Sequence, residues 1–430
     1  MGSPADPHGS RPYNPAGPAM TKKKAHDSAR AHPWRQFFSM KASLMILALF
    51  LPFLGCGGGG GGGSSSSSPP TVYSNQIDVQ LLSGQLNIPT VSVTLCVPGT
   101  SDCQTINNIL IDTGSVGLRI AHNLVTIPLP AVTDGASDVY ECYTFATSDN
   151  FGPVVSADVS LGGEPTVTVD VQISNHTLTS PSSTCTPSSI QSSGINGILG
   201  VGYPFSQDDG GDYYACPSSG CTSGTGKLSC SGTIINPASP CHVANPVFSF
   251  PSDNNGVLLA LKSISTNGAA SPVYGVLTFG IGTQSDNSLS GLTTYTVSST
   301  NSCGSSNSYI DASFTGGSTG SCGFLDSGSN GFFFGTTTFP LCGKNNTWYC
   351  PSPSPATISL TLTGGSGATG SFSLNVLSEN TIVSSNNIAW NDLAGPYGST
   401  TTFDAGLPFF FGRTVAVGYN TGGQTAFWAF

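Results

Sequence analysis

Apolar and polar positions alternate along much of this chain with the two-residue period of half-buried strands. Ile77, Val79 and Leu81 share one face, as do Val91, Val93 and Leu95, with turns expected at Ser83-Gly84 and Pro98-Gly99. Two stretches break the alternation. Asn108-Ile109-Leu110-Ile111 runs apolar into Asp112-Thr113-Gly114-Ser115, and Gly323-Phe324-Leu325 runs apolar into Asp326-Ser327-Gly328-Ser329. Each reads as a short buried strand that delivers one acid into a tight turn of hydroxyls and glycine. Val116-Gly117-Leu118-Arg119-Ile120 continues as a strand, residues 143–163 read as a β-hairpin around a polar turn, and Tyr274–Phe279 and Ser308–Phe314 supply further strands. No amphipathic helical stretch of useful length follows residue 71. The pattern predicts an all-β chain with few short helices.

Composition narrows the class. The 430 residues suffice for two domains of ordinary size, and 38% hydrophobic residues can fill a core although only 8% are charged. Abundant uncharged polar residues between short apolar runs suit an exported β protein. Seven of the twelve Lys and Arg residues precede Cys56, which leaves five against twenty acidic residues after it. A surface of that sign does not hold nucleic acid or anionic head groups by charge.

The N-terminal residues divide into three segments. Residues 1–39 are Pro-rich and basic, an extended leader or an upstream start. Residues 40–55 carry a positive start, an apolar core from Leu44 to Leu51 and a small residue at Gly55, the parts of a secretory signal. The core is shorter than the roughly 20 residues a membrane span needs. With Cys56 directly after Gly55 the segment resembles a bacterial lipoprotein signal, which implies a lipid anchor on Cys56; Phe53 stands where Leu is usual, and an ordinary cleaved signal is the alternative. Residues 56–70 form a Gly/Ser tether that would hold the body off a membrane of the cell envelope.

Thirteen cysteines leave twelve without Cys56, an even number that suits a disulfide framework in an exported chain. Spacing suggests Cys96 with Cys103, Cys342 with Cys350 and Cys303 with Cys322. Cys216, Cys221, Cys230 and Cys241 would pair among themselves, leaving Cys142 for Cys185. Absent CxxC pairs and only His122, His176 and His242 in the body argue against a zinc site. The run Asp208-Asp209-Gly210-Gly211-Asp212 lacks the twelve-residue calcium loop, so residues 206–245 read as a solvated, disulfide-tied surface loop. No metal or cofactor is expected.

The order of the motifs resembles the pepsin-like aspartic protease family over roughly residues 75–430. Asp112-Thr113-Gly114-Ser115, then a hairpin, then Asn196-Gly197-Ile198-Leu199-Gly200 is similar to that family's N-terminal lobe. The hairpin corresponds to its flap, and Ile198-Leu199-Gly200 to the strand that closes a ψ-shaped loop beneath the catalytic turn. Tyr274–Gly282 is similar to the strand that opens the C-terminal lobe, and Phe410-Phe411-Gly412 is expected to be the second ψ-loop strand. The resemblance implies a bilobal fold, with an N-terminal lobe over residues 71–245 and a linker and C-terminal lobe over 246–430. Two positions depart from the family. Phe145 aligns with the flap tyrosine, although Tyr143 on the same strand face is placed to replace it, and Arg119 stands where Trp is common.

The resemblance implies an Asp112/Asp326 dyad. Two adjacent carboxyls cannot both ionise easily, so the pair shares a proton and offers a base and an acid to one water. Gly114 and Gly328 let backbone N–H groups approach the acids. Ser115 and Ser329 would hold their outer oxygens, while Thr113 and Ser327 would reach across to the opposite turn. The expected function is an envelope-anchored endopeptidase, monomeric, acting on peptide or unfolded protein. A peptide-binding protein that does not cut, on the same fold, is the alternative, and a disulfide-rich β adhesin needs no convergence of the acids. Three body histidines and no Gly-x-Ser-x-Gly elbow disfavour a serine hydrolase.

Overall fold

The computed structural model describes residues 75–202, 211–228, 243–298, 309–342, 347–382, 384–421 and 423–430. Among these, strands dominate, and helix is confined to single 3-10 turns and the short α-helix Glu379–Ile382. None of the described helices is long and apolar enough to cross a membrane. The alternation read from sequence is explicit in Ala356–Thr363, where Ile358, Leu360 and Leu362 point into the core and Thr357 and Ser359 point out. Its outward hydroxyls meet those of the neighbouring Thr369–Val376 strand, with Thr361 and Ser371 at 3.0 Å and Thr363 and Thr369 at 3.2 Å. Cross-strand hydroxyl pairs of this kind cover the sheet faces without charge.

Two sheets organise the described residues. A 15-stranded sheet starts at Asp212–Cys216, passes through the flap hairpin (Ser137–Thr144 and Asp149–Ser160), and reaches Gly197–Val201 and Cys103–Asp112. It continues through Gln76–Leu81, Tyr274–Phe279, Gly256–Leu261 and Thr414–Gly418, so residues from both ends of the chain share it. The seven-stranded sheet places Cys322–Asp326 beside Thr402–Gly406, with Phe332–Phe334 on the far side. One apolar core joins the halves; Ile111, Leu199, Leu325, Leu407, Tyr419 and Trp428 all belong to it. Tyr419 adds a buried polar clasp, donating to Val201 O at 3.0 Å and accepting from Asn245 Nδ2 at 2.9 Å.

The expected pairs Cys96–Cys103, Cys142–Cys185 and Cys342–Cys350 form, and Cys216–Cys221 pairs within the group of four. Cys322 is also disulfide-bonded. Its expected partner Cys303 lies outside the described residues, as do Cys56, Cys230, Cys241, Asp208 and Asp209.

Several acids sit where protonation favours the fold. Glu164 is pushed up from 4.5 to about 7, first by burial and then by the neighbouring Asp253. Burial pushes Asp170 and Asp392 up to about 6. A carboxyl with a raised pKa contributes stability that is fully present below its unfolded value and is lost as pH rises through the folded one. The melting temperature is therefore predicted to fall between about pH 4 and pH 7, and Glu164→Gln to flatten that fall. A Glu164→Gln variant that follows the wild-type pH profile of thermal unfolding would refute the assignment.

Candidate active site

The two Asp turns sit at equivalent places in the two sheets. The Cys103–Asp112 strand runs parallel to Gly197–Val201, which sets Asp112 opposite Gly200. Val116–Ala121 then returns antiparallel along the other edge of Gly197–Val201, pairing Gly117 with Gly200. In the second sheet Cys322–Asp326 runs parallel to Thr402–Gly406, with Asp326 opposite Gly406, and Phe332–Phe334 returns along its other edge. Glycine is required opposite each acid. A Cβ on Gly200 would lie 2.7 Å from Val116 backbone atoms, and one on Gly406 would run into the carbonyls of Gly331 and Ser329.

The second loop closes with a different strand from the one expected. Phe410 caps the 3-10 turn Leu407–Phe409, Phe411 bridges to Leu261, and Gly412 lies in a turn at φ +75°; none belongs to a strand beside Asp326. Phe403-Asp404-Ala405-Gly406 takes that place. Its apolar-apolar-glycine pattern is interrupted by Asp404, so the all-apolar Phe410-Phe411-Gly412 gives the stronger sequence signal although its aromatic rings serve the core.

The turns lock to each other by reciprocal hydrogen bonds. Thr113 Oγ1 donates to Leu325 O at 2.8 Å and accepts from Ser327 N at 2.9 Å. Ser327 Oγ donates to Ile111 O at 2.8 Å and accepts from Thr113 N at 3.1 Å. Thr113 and Ser327 are both buried. Each acid is then held within its own turn. Asp112 accepts from Gly114 N at 2.8 Å and Ser115 Oγ at 2.5 Å, and Asp326 from Gly328 N and Ser329 Oγ, both at 2.8 Å.

The acids face each other across the two glycines. A Cβ on Gly114 would lie 2.6 Å from Asp326 Cγ, and one on Gly328 would lie 2.6 Å from Asp112 Oδ1. The two carboxyls are thus brought close enough that the charge of Asp112 opposes ionisation of Asp326. Burial is the largest cause of the raised Asp326 pKa, followed by the charges of Asp112 and Asp404. Such a pair presents a base and an acid at one point.

The hairpin expected to be the flap packs on the strands beside the Asp112 turn. Tyr143 and Phe145 contact each other edge to face at 4.6 Å between ring centroids, next to the turn that joins the hairpin strands. Phe145 packs on an apolar cluster of Leu110, Ile190, Ile195 and Ile198. Tyr143 lies on the guanidinium of Arg119, 3.9 Å from ring centroid to Cζ. Arg119 donates to Glu141 Oε1 at 2.7 Å and to Val116 O at 2.8 Å; the Arg119 and Glu141 side chains are fully buried. A cation on the strand after Asp112 is thus neutralised from the flap and covered by its aromatic ring. Sequence singled out Arg119 but missed Glu141, whose place on the inward face of a strand was its available signal.

The insertion also differs from its sequence reading. Asp212–Cys216 is a strand paired with Ser137–Thr144 of the flap, and it buries Tyr213 and Tyr214. Tyr213 Oη donates to Glu141 Oε1 at 3.3 Å. Asp212–Cys216 braces the hairpin because its Tyr-Tyr-Ala-Cys run outweighs the acid before it, while residues 217–228 are the expected surface loop, largely exposed and tied by Cys216–Cys221. Asp212 itself stays at the surface, paired with Lys227 at 2.5 Å.

Two equivalent sheets, each ending a parallel strand pair in an Asp turn, define a bilobal pepsin-like fold. Among solved structures the chain is similar to an aspartic proteinase from Irpex lacteus, with a TM-score of 0.53 and 17% identity over 82% of this chain and 96% of that one. The chain belongs to the family described as Protein of unknown function (DUF3443), whose model matches residues 67–430. No curated protein matches it.

Removing the cation should expose the flap's dependence on it. Arg119→Met leaves Glu141 buried and uncompensated, an expected loss of about 3–5 kcal/mol. Arg119→Met/Glu141→Leu should recover most of that loss in urea unfolding. Equal destabilisation by single and double variants would show that the ion pair does not seat the flap.

Proposed function

We propose that this chain is an aspartic-type endopeptidase of the cell envelope that hydrolyses peptide bonds with water activated by Asp112 and Asp326. The observation that carries this reading is the pair of acids set face to face on two mutually locked turns. The ionised member takes a proton from water, whose oxygen attacks the peptide carbonyl carbon while the protonated member gives its proton to the carbonyl oxygen. A tetrahedral diol forms. Its collapse breaks the C–N bond as a proton passes to the leaving nitrogen and the diol returns a proton to the pair. In this scheme the two acids act as one unit, so neither has a fixed role.

The flap gives the substrate its expected character. An extended peptide lying between the turns and Phe145 would set a side chain against Leu110, Ile195 and Ile198, which suits an apolar residue. A second reading rests on Phe145 itself: it offers no hydroxyl to a bound backbone, which favours a protein that holds peptides on this fold without cutting them.

Cys56, the preceding apolar segment and the tether up to residue 70 support attachment through a lipid on that cysteine, and the disulfides among the described residues suit an oxidising compartment. Cys56→Ser is expected to move the protein from the membrane fraction to the soluble one; unchanged sedimentation would remove the anchor from this proposal.

Cleavage of an unstructured protein between about pH 3 and pH 7 tests the catalytic reading. Asp112→Asn and Asp326→Asn should each lower the rate by about 10²–10⁴-fold, the range of lost acid–base catalysis. No cleavage by the wild type anywhere in that range, or equal cleavage by the Asn variants, would favour the binding reading.

A further inference from the structure

A third acid stands behind the dyad. Asp404 occupies the position in the Thr402–Gly406 strand that Ile198 occupies in Gly197–Val201: Phe324 pairs with Asp404 as Leu110 pairs with Ile198. One lobe therefore has a carboxyl where the other has a hydrocarbon. Asp404 is only 4% exposed, and its Oδ1 has no hydrogen-bond partner. Its Oδ2 lies 2.7 Å from Ser329 Oγ, which lies 2.8 Å from Asp326 Oδ2.

Proton counting constrains this chain of three groups. Ser329 has one hydroxyl hydrogen and cannot donate to both acids, so one carboxyl must donate to it. Asp326 already accepts from Gly328 N. Asp404 has a bare buried oxygen, and the ion pairs among the described residues, Arg119–Glu141 and Lys227–Asp212, do not include it. Ionising the less solvated acid is the more costly choice. The titratable groups that face Asp404 are Asp112, Asp326 and Tyr397, the last with Tyr309 beside it, and none brings a positive charge.

We propose that Asp404 is a positioning residue for the dyad: as a neutral acid it donates to Ser329 and thereby commits the Ser329 hydrogen to Asp326. Loss of the Asp404 proton reverses the arrangement. The Ser329 hydrogen turns to the new anion, and the outer oxygen of Asp326 loses its partner. The site then works only while Asp404 is protonated. Burial raises the pKa of Asp404 well above the usual carboxylate range, which keeps that proton in place in mild acid.

The kinetic consequence rests on the endopeptidase reading; the protonation state does not. Infrared difference spectra of wild type minus Asp404→Asn at about pH 6 are expected to show loss of a protonated carboxyl band that Asp112→Asn and Asp326→Asn retain. Loss of carboxylate bands alone would overturn the proposal whether or not the protein cuts peptides. In cleavage assays, Asp404→Ala should lower kcat by about ten- to a hundredfold with little change in KM, the scale of one hydrogen bond to a charged group. Asp404→Asn, which keeps an N–H for Ser329, should recover most of that loss, and its alkaline limit should stay or rise. An alkaline limit displaced downward would mean that Asp404 acts as an anion. In a Ser329→Ala background, Asp404→Ala should add almost nothing, whereas full additivity would exclude the relay. If Asp404→Ala does not fold, the Asn variant and its spectrum decide the matter.

Discussion

The reciprocal hydrogen bonds between Thr113 and Ser327 are the constraint on which the rest of the site depends. Each side chain donates to a carbonyl on the opposite strand and accepts from the opposite backbone N–H, so all four contacts cross between the lobes. Because these groups are buried, breaking one contact leaves a donor or acceptor unpaired, at about 1–3 kcal/mol. The lock fixes the separation of the strand ends that carry Asp112 and Asp326. Each carboxyl then faces the glycine of the opposite turn, where any side chain would collide with it. Burial and the neighbouring charges then raise the pKa of Asp326.

The same economy of charge runs through the whole fold. Hydroxyl pairs cover the outward sheet faces, and raised carboxyl pKa values recur far from the site, at Glu164, Asp170 and Asp392. An acid that is easily kept protonated thus belongs to the general character of the chain as well as to its cleft. Arg119 is the contrasting case. Its charge is fully buried, and it is retained by Glu141 and covered by Tyr143, coupling the hairpin to the strand that leaves Asp112.

Much of this arrangement was legible in the sequence because it lies in contiguous residues. Strand ends, the turn tetrapeptides and Ile198-Leu199-Gly200 each combine a local pattern with a backbone requirement, and the cysteine spacings are local constraints of the same kind. Features made by distant pairing were not legible. Asp404 disguised its strand by putting an acid in an apolar slot, while Phe410 and Phe411 imitated that strand with residues whose burial serves the core. Glu141 and Tyr213 acquire meaning only once Asp212–Cys216 pairs with the flap.

The central claim is that Asp112 and Asp326 form one proton-sharing unit complementary to a tetrahedral diol. Calorimetric titration with an apolar peptide whose scissile amide is replaced by a secondary alcohol tests it most directly. In mild acid the alcohol should bind at least about a hundredfold more tightly than the parent amide peptide, as expected for a transition-state mimic, and Asp112→Asn/Asp326→Asn should abolish the difference. Equal binding of alcohol and amide by the wild type, or an undiminished preference in the double variant, would contradict it.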